Sequence, residues 1–277
     1  MVRPPLRPLF GLALIAAVLS PSFQSAVLSA HEPAAAQQKT ATTQTSDGQV
    51  SDDNGDTRPG YDSLFDGQTL NGWKGLEAFW SVEDGVILGR TTAENPTSAN
   101  TFLVWQGGDV ADFEFRAEVR FSGNNSGVQY RSELVDAEGL ALKGYQADLH
   151  PKPEYFGMLY GEKTGRGIIA ERGSRLLINA EGAKTSLGTL DTSEDLTDDT
   201  WNEIAVFAVG DRLIHQINGR TTVDIIDRHP DAASSGKLGL QLHAGPPMTV
   251  RFRNLRLRKL TAEEAQAVLE EQAPQEE

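Results

Sequence analysis

The stretch Gly123–Glu162 reads GNNSGVQYRSELVDAEGLALKGYQADLHPKPEYFGMLYGE and contains three short runs in which apolar and polar residues alternate. Alternation with a period of two predicts strands that have one dry face and one wet face. The dry face carries Val128 and Tyr130 in the first run and Tyr145 and Ala147 in the second. This stretch therefore predicts neighbouring strands of one sheet, packed on a core by these residues.

The opposite faces of the three runs are unusually rich in groups that hydrogen-bond and exchange protons. Solvated strands commonly carry Thr, Ser and Lys outward, whereas these runs carry amides, carboxylates, an imidazole, a guanidinium and a phenol. The residues predicted to share the polar face are Gln129, Arg131, Glu133, Gln146, Asp148, His150, Tyr160 and Glu162. We therefore expect a functional site on this face of the sheet.

The flanking sequence continues the strand pattern. Residues 112–122 alternate cleanly between apolar and charged side chains, and residues 249–260 do the same with a slip at Asn254 that predicts a β-bulge. Residues 173–199 are interpreted as a long polar excursion. About a dozen short strands separated by turn signals predict an all-β protein, a two-sheet jelly-roll β-sandwich.

One segment has a helical rather than a strand pattern. Residues 261–272 read TAEEAQAVLEEQ, in which Thr261 and Glu264 have the spacing of a capping box. Ala265, Val268 and Leu269 form a single apolar stripe. We predict a short C-terminal surface helix within residues 261–277, followed by an acidic tail.

The N-terminal residues predict export. Residues 1–30 place Arg3 and Arg7 before an apolar run of about eleven residues, which is too short to span a bilayer and is typical of a secretory signal peptide. Residues 31–60 have almost no large apolar side chains and are interpreted as a disordered linker. A periplasmic or extracellular location is expected, with signal peptidase as a partner during export.

Composition excludes several classes of function. The chain has no cysteine, so thiolate metal sites, disulfides and a lipid-anchored N-terminus are excluded. The formal net charge is −14 at pH 7, which repels phosphate backbones and makes nucleic acid an unsuitable partner.

Five runs in order along residues 61–260 resemble one known family, the 3-keto-disaccharide hydrolases. The runs are LFDGQTLNGW (64–73), SGVQYRSE (126–133), GYQADLH (144–150), GMLYGEKTGRGIIAERG (157–173) and GKLGLQLHAGPPMTVRFRNLRLRKL (236–260). The family is similar to concanavalin-like jelly rolls, in agreement with the strand pattern. The chain departs from the resemblance at Gly161, where an acidic residue is expected, so Glu162 becomes the candidate acid there.

The resemblance implies cleavage of 3-keto-glycosides. A carbonyl at C3 of a sugar acidifies the C2 proton, a base removes it, the C1 substituent is eliminated, and water adds to the product. Such a site needs a base near C2, a cation or donors at the 3-keto oxygen, and an acid for the leaving oxygen. A sugar 3-dehydrogenase that makes the keto sugar is an expected functional partner.

Candidate residues for these roles lie on the polar faces and in the closing run. His150 and His243 are candidate bases or metal ligands, and Arg131 is the candidate cation for a developing enolate. The candidates for base, acid or metal ligand are Glu133, Asp148 and Glu162. The candidates for binding sugar hydroxyls are Gln129, Gln146, Tyr160 and Gln241. The candidates for stacking on a sugar ring are Trp73, Trp105 and Tyr155.

Two alternatives stay open at this point. Asp148, His150 and His243 would suit a divalent metal ion, although the implied chemistry does not require one. A non-catalytic carbohydrate-binding module of the same shape would need the amide and aromatic groups but no base. The discriminating feature is whether a carboxylate or histidine converges with Arg131 on one sugar-sized cavity.

Overall fold

The computed structural model describes residues 60–193 and 199–272. The predicted signal peptide and all but the last residue of the predicted linker lie outside these ranges. No helix in the described ranges has the length and apolar character needed to cross a membrane.

The described strands are β1 Asp62–Ser63, β2 Trp73–Lys74, β3 Trp80–Glu83, β4 Val86–Thr91, β5 Thr101–Trp105, β6 Phe113–Ser122, β7 Ser126–Asp136, β8 Ala141–Leu149, β9 Leu159–Glu162, β10 Gly167–Ala170, β11 Ser174–Ile178, β12 Lys184–Thr189, β13 Asn202–Val209, β14 Arg212–Ile217, β15 Arg220–Asp227, β16 Lys237–Leu242 and β17 Met248–Lys259. The helix is α1 Ala262–Glu271.

The strands form two sheets. A ten-stranded sheet has the order β12-β11-β15-β14-β13-β6-β17-β4-β3, with β1 paired to β17. A seven-stranded sheet has the order β10-β9-β8-β7-β16-β5-β2. The chain is thus a β-sandwich of the jelly-roll type, as the sequence predicted.

The alternation of apolar residues explains why the two sheets pack face to face. On β6 of the ten-stranded sheet, Phe113 and Phe115 are buried, and on β7 of the seven-stranded sheet, Val128 and Tyr130 are buried in the same cluster. The rings of Phe113 and Tyr130 meet edge-on, with centroids 6.0 Å apart. Burial of these side chains supplies the main driving force for folding in a chain that has no disulfide.

Two details of the strand prediction have different outcomes. The bulge at Asn254 is confirmed, because the β17–β6 register shifts between Arg253 and Arg256 and Asn254 has a φ of 53°. The polar excursion over residues 173–199 is wrong in part, since β11 and β12 lie within it. The six residues of β12 are all exposed, so no apolar face marks that strand in the sequence.

The predicted C-terminal helix is confirmed. Thr261 caps α1 and forms a reciprocal capping box with Glu264. Ala265 and Val268 are buried against Ala205 and Phe207 of β13. The helix therefore covers part of the outer face of the ten-stranded sheet, which leaves the outer face of the seven-stranded sheet for a site.

Candidate functional site

A cavity of about 520 Å³ lies on the outer face of the seven-stranded sheet. This volume falls in the range of about 300–1,000 Å³ that is usual for small-molecule sites. Its lining residues are mostly polar, and they are Asn100, Asn125, Gln146, Asp148, His150, Tyr155, Met158, Tyr160, Glu162, Lys163, Ile168, Gln241 and His243. Most of the residues on the predicted polar face therefore line this cavity.

Strand register explains why residues distant in sequence meet here. Ser126 is paired with Leu149, and Leu240 is paired with Val128, so the start of β7 lies between the ends of β8 and β16. Three polar residues just beyond these strand ends, Asn125, His150 and His243, consequently face the same cavity.

The cavity floor is a hydrogen-bonded group of two amides and one carboxylate. Gln146 Nε2 donates to Asp148 Oδ1 at 2.6 Å and to Gln241 Oε1 at 3.3 Å. A Cβ at Gly127 would lie 2.4 Å from Cδ of Gln146, so only glycine leaves room for the Gln146 side chain at this point. The arrangement fixes both amides and orients the carboxylate.

Several buried polar atoms of this floor have no hydrogen-bond partner in the described part of the chain. They are Asp148 Oδ2, Gln146 Oε1 and Gln241 Nε2; both amide atoms of Gln129, which lies in the sheet beside the floor, are also without one. Folded proteins pair nearly all of their buried polar atoms, because an unpaired one loses the hydrogen bonds that water would supply. Unpaired donors and acceptors beside a cavity are suited to a polar ligand.

Asp148 has the electrostatic character of an acid–base group. Its side chain is only 2% exposed, and burial raises its pKa to about 7, with a further raising contribution from the charge of Glu162. The hydrogen bond from Gln146 and the nearby amide of Asn125 oppose this increase. A carboxyl group with a pKa near neutrality can both accept and return a proton at physiological pH.

Asn100 connects two sides of the cavity, although its sequence context did not predict a site residue. Its Nδ2 lies 3.3 Å from Glu162 Oε1, and its Oδ1 accepts from the backbone N–H of Ala244 at 3.0 Å. It thereby holds the carboxylate of Glu162 opposite the segment that carries His243. Asn125 and Lys163 were also missed; all three stand next to strands rather than within them, where alternation gives no signal.

The two predicted histidines lie at the cavity with different contacts. His150 Nδ1 accepts from the backbone N–H of Lys152 at 3.0 Å, and its ring meets Tyr155 edge-on. Burial, aided by the charge of Lys152, lowers the pKa of His150, which favours the neutral imidazole. His243 Nδ1 lies 3.2 Å from Asn124 Nδ2.

The prediction that Arg131 and Glu133 share the polar face is wrong. The β7–β8 register shifts between Tyr130 and Glu133, and Arg131 has a φ of 44°, so a β-bulge reverses the alternation at this point. The Arg131 guanidinium donates instead to the carbonyl oxygens of Ala111 and Gly210. Glu133 is exposed on the far part of β7, and neither residue lines the cavity.

Three predicted sugar-binding residues also lie outside the cavity. Trp73 is buried in the core, where its Nε1 donates to the carbonyl of Leu64 at 2.7 Å. Trp105 packs on the edge of the same core. Gln129 is fully buried and is the cross-strand partner of Gln146, so it lies within the sheet beside the floor rather than at the cavity surface.

The side chains do not fit the predicted metal set. Among residues 60–193 and 199–272, no three His, Cys, Asp or Glu side chains come together in a way that could hold a metal ion. Asp148, His150 and His243 line one cavity without forming such a group. A requirement for a metal ion stays a prediction from the sequence.

Gly161, where the family resemblance predicts an acidic residue, does not alter the cavity. A Cβ at Gly161 would meet Thr164 Oγ1 and Ile169 Cδ1, and Gly161 is absent from the cavity wall. Its neighbour Glu162 lines the cavity instead. Alternation therefore makes Glu162 the acidic residue of this strand that faces the site.

A buried histidine supports the wall of the cavity from the opposite sheet. His215 of β14 is fully buried, its Nε2 lies 2.9 Å from the Tyr130 hydroxyl, and its Nδ1 lies 3.3 Å from the carbonyl oxygen of Gly157. The Gly157 N–H in turn donates to the carbonyl of Asp148 at 2.8 Å. Burial lowers the pKa of His215 to about 4.

We expect His215→Phe to destabilise the fold by about 1–3 kcal/mol, because the buried hydroxyl of Tyr130 loses its partner. Between pH 6.5 and about pH 4 the unfolded chain binds a proton that folded His215 does not, so wild-type stability falls as the pH is lowered. Urea unfolding at several pH values should show this slope reduced in the variant. Tyr130→Phe is the matched control, since it removes the same bond and keeps the histidine; an unchanged slope in His215→Phe would contradict the assignment.

The fold is a jelly-roll β-sandwich with a polar cavity on the outer face of one sheet. The model of the 3-keto-α-glucoside-1,2-lyase-like domain matches residues 60–258, and the chain belongs to this family. A curated relative, the 3-keto-disaccharide hydrolase of Bacteroides thetaiotaomicron, is 32% identical over 91 residues. That alignment covers 28% of this chain and 30% of the relative, so it spans less than a third of the relative's length.

Solved structures resemble the fold at low sequence identity. A protein provisionally named as a glycosyl hydrolase from Parabacteroides distasonis is 19% identical with a TM-score of 0.49, covering 73% of this chain and 94% of the other. The carbohydrate-binding module CBM66 from Bacillus subtilis is 19% identical with a TM-score of 0.46, covering 69% and 96%. The family match, rather than these likenesses, indicates a hydrolase-like function on carbohydrates.

Proposed function

We propose that this protein cleaves 3-keto-glycosides by abstraction of the C2 proton, elimination of the C1 substituent and hydration of the product. The observation that carries the proposal is the cavity floor, where Asp148, with its raised pKa, adjoins amide atoms that have no partner within the described ranges. The family match and the name of the Bacteroides relative support a 3-keto sugar as the proposed substrate class.

Asp148 is the proposed base. Its carboxylate takes the proton from C2, and the electron pair left behind is delocalised onto the 3-keto oxygen as an enolate. Because the pKa of Asp148 is about 7, a substantial fraction of the enzyme holds the carboxylate form at neutral pH. The protonated group can then return a proton to C2 when water adds.

The remaining cavity residues have complementary proposed roles. Gln146 Nε2 is occupied by Asp148 and by Gln241 Oε1, which leaves the Gln241 Nε2 as a hydrogen-bond donor toward the 3-keto oxygen. Gln241 Nε2 thus has the role, stabilising the developing enolate, for which the sequence predicted Arg131. The imidazole of His243 is the proposed acid for the oxygen that leaves C1, and the neutral imidazole of His150 is a proposed hydrogen-bond donor to the same oxygen.

The overall reaction balances without an added oxidant or reductant. Elimination breaks the C1–O bond, forms a C1–C2 double bond and releases the leaving group as an alcohol. Water then adds its hydroxyl to C1 and a proton to C2, which gives the free 3-keto sugar. The 3-keto group is present at the start and at the end, so a separate dehydrogenase is the proposed source of the substrate.

A second candidate function is carbohydrate binding without catalysis. The unpaired amide atoms of the floor favour it, because amides alone can bind sugar hydroxyls. The predicted discriminating feature is met only in part, because Asp148, His150 and His243 line the cavity but Arg131 does not. The two functions therefore differ in whether Asp148 acts as a base or only binds a hydroxyl group.

Turnover of a 3-keto-disaccharide and of its non-oxidised parent, each with and without a chelator, tests the proposal. We expect cleavage of the keto form alone, because only its C2 proton is acidic. Loss of activity with the chelator would add a metal to the site. Binding of both sugars without cleavage would establish the binding module instead.

We also propose export to the periplasm or the extracellular space, supported by the pattern of residues 1–30. The chain expressed with its N-terminus in a bacterial host should be recovered outside the cytoplasm with a shortened N-terminus. Mass spectrometry of the purified protein measures the cleavage point, and an intact N-terminus in a cytoplasmic fraction would contradict the proposal.

A further inference from the structure

The outer face of the ten-stranded sheet carries a dense group of arginines beside helix α1. The helix packs on β13 and β14, and β6, β17 and β4 follow in order across the same sheet. The charged residues at the outward positions of β6 and β17 are six arginines and two glutamates: Arg116, Arg120, Arg251, Arg253, Arg256, Arg258, Glu114 and Glu118. Positive charge is therefore concentrated on this face of a protein whose net charge is −14.

Strand register places arginine directly opposite arginine at two points of this face. Arg251 of β17 pairs with Arg120 of β6, and Arg256 of β17 pairs with Arg116 of β6. Like charges at directly opposed positions destabilise a sheet, so each pair needs a negative charge beside it.

The protein itself supplies that charge at one of the two points. Arg116 pairs with Glu114 at 2.6 Å and with Glu203 at 2.8 Å, and Arg256 lies 4.0 Å from the same Glu203. Two carboxylates thus compensate two guanidinium groups. This part of the face is a balanced ion-pair network.

The other point has less negative charge. Arg120 donates to both carboxylate oxygens of Asp199, at 2.7 and 3.0 Å. The Arg120 hydrogen bond and the charges of Arg120 and Arg251 lower the pKa of Asp199. Arg251 itself makes no ion pair or side-chain hydrogen bond with any residue of the ranges 60–193 and 199–272. One carboxylate therefore faces two guanidinium groups.

A third arginine and two hydroxyl groups extend this point across three strands. Exposed Arg90 of β4 is opposite Thr249 of β17, and Thr249 is opposite Ser122 of β6. Thr249 stands two residues before Arg251 on the same side of β17, and Ser122 stands two residues after Arg120 on β6. We call these five residues the arginine patch.

The donors of the arginine patch are suited to an anion. Three guanidinium groups meet the single carboxylate of Asp199, whose side chain is 53% exposed. A guanidinium presents a planar fork of N–H donors that matches the oxygens of a carboxylate or a sulfate group, and hydroxyl groups add further donors. An anionic group held between Arg251 and Arg90 would also relieve the repulsion between the opposed arginines.

The patch lies at the edge of the sandwich where the chain crosses to the sheet that carries the Asp148 cavity, here called the principal cavity. Ser122 ends β6, and Asn125, which lines the principal cavity, follows in the crossing to β7. A second crossing leads from His243 at the cavity to the start of β17. A Cβ at Gly123 would lie 2.4 Å from the carbonyl oxygen of Pro247, so the two crossings pack on each other.

The composition of the face favours a glycan over a membrane as the carrier of the anion. The exposed large apolar side chains of the described chain are Leu134, Val135, Ile168 and Leu187, and none of them belongs to β4, β6 or β17. Binding in the plane of a membrane requires apolar side chains that enter the headgroup region. Because charges are screened over about 8 Å at physiological ionic strength, a short anionic glycan interacts with the patch rather than with the negative charge elsewhere.

We infer that the arginine patch binds an anionic glycan, one whose sugars carry carboxylate or sulfate groups. Arg251 and Arg90 pair with its anionic groups, and the hydroxyl groups of Ser122 and Thr249 bind beside them. The site is separate from the principal cavity and does not depend on the proposed reaction. Binding there holds the protein on an acidic polysaccharide and leaves the cavity open to a sugar.

Calorimetric titration with a galacturonate hexasaccharide, a chondroitin sulfate hexasaccharide and neutral maltohexaose tests the inference. We expect the wild-type protein to bind both anionic hexasaccharides, and more weakly as salt is added. For Arg251→Glu we expect the affinity for both to fall by about tenfold or more, because a charged hydrogen bond is replaced by repulsion. Arg90→Glu, at an exposed position, should act in the same direction, and the affinity for maltohexaose should not change in either variant.

Arg228→Glu is the matched control, since it makes the same charge change at a side chain that is 60% exposed and lies outside the patch. Equal losses of affinity in Arg228→Glu and in the two patch variants would overturn the inference, because net charge alone would then be responsible. Unchanged affinity in both patch variants would overturn it as well. The same holds if the wild-type protein binds neither anionic hexasaccharide, or binds phosphatidylglycerol vesicles in their place.

A separate measurement keeps this inference distinct from the proposed function. Arg251→Glu should cleave a 3-keto-disaccharide at the wild-type rate, because the patch is not part of the principal cavity. A lower rate in this variant would contradict the separation of the two sites. If the wild-type protein cleaves no 3-keto-disaccharide but binds the anionic hexasaccharides through the patch, the proposed function is overturned and the inference stands.

Discussion

Asp148→Asn is expected to lower kcat on a 3-keto-disaccharide by about 10²–10⁴-fold, the usual contribution of a positioned general base. Asparagine keeps the shape of the side chain but cannot accept the C2 proton. Steady-state kinetics on the purified variant measure the loss. Glu133→Gln, which makes the same chemical change at an exposed position, is the matched control and should retain wild-type turnover.

The pH dependence of the same variant checks the assignment independently. Because the base must be ionised and its pKa is about 7, wild-type kcat/KM should rise with pH through about pH 7. This limb should be absent from the residual activity of Asp148→Asn. A variant with the wild-type rate, or one that keeps the same limb, would remove Asp148 from the proposed role.

Stability measurements distinguish loss of catalysis from loss of folding. The pKa of Asp148 is raised in the folded protein, from its usual value of 3.8 to about 7. The folded state therefore binds a proton that the unfolded chain has released, so this group contributes stability at low pH that is lost as the pH rises through about 7. Asp148→Asn should consequently gain stability relative to wild type at pH 8 compared with pH 4.

Arg166→Ala is expected to destabilise the fold by about 3–5 kcal/mol, the range found when one partner of a buried ion pair is removed. Arg166 donates to both carboxylate oxygens of Asp227, at 2.7 and 3.0 Å, and the Asp227 side chain is only 1% exposed. The Tyr145 hydroxyl donates to the same carboxylate at 2.6 Å. Without Arg166, the buried carboxylate keeps the Tyr145 hydroxyl and the backbone N–H of His229 as partners but loses its cation.

Urea unfolding at pH 7 and at low pH tests this prediction. Burial tends to raise the pKa of Asp227, but hydrogen bonds from Arg166 and Tyr145 outweigh this effect and lower the pKa below its usual value of 3.8. The stability from this carboxylate is therefore present above that value and is lost as the pH falls, so the effect of Arg166→Ala should shrink in acid.

An exposed arginine provides the control for this measurement. Arg228 pairs with Asp211 at 2.8 Å, but the two side chains are 60% and 46% exposed. Solvent screens such pairs, so Arg228→Ala should change stability by only about 0–1 kcal/mol. Equal effects of the two substitutions would show that the Arg166–Asp227 pair is not the stabilising feature that its burial indicates.

The ion pair also has a consequence for the site. Arg166 stands in the turn between β9 and β10; this turn begins with Lys163, which follows Glu162, and both of these residues line the principal cavity. Asp227 ends β15 of the opposite sheet. The bond between them fixes the β9–β10 turn across the sandwich, so Arg166→Ala should also raise the KM for the substrate.

Most of the fold could be predicted from local sequence. Alternation in β6, β8 and β17 marks their buried faces, because a strand that covers a core on one side must place apolar residues at every second position. The capping box of Thr261 and Glu264 marked the start of α1 for a similarly local reason. β12 was not predicted, because all of its residues are exposed and no apolar alternation marks it.

The site could be predicted only in part. Five predicted residues line the cavity because they keep the regular alternation of their strands: Gln146, Asp148, Tyr160, Glu162 and Gln241. Arg131 and Glu133 did not, since a bulge interrupts β7 between Tyr130 and Glu133. Such a bulge depends on how two strands pair, and the residues of one strand do not specify it.

The sequence by itself determined the all-β class, the strands with a buried face, the capped helix and the family resemblance, all of which depend on residues near one another or on ordered motifs. Tertiary structure decided which polar residues share a cavity, placed Asn100 between Glu162 and Ala244, and raised the pKa of Asp148. These properties depend on distance and burial between segments far apart in the chain. Only strand pairing and the packing of the two sheets set those quantities.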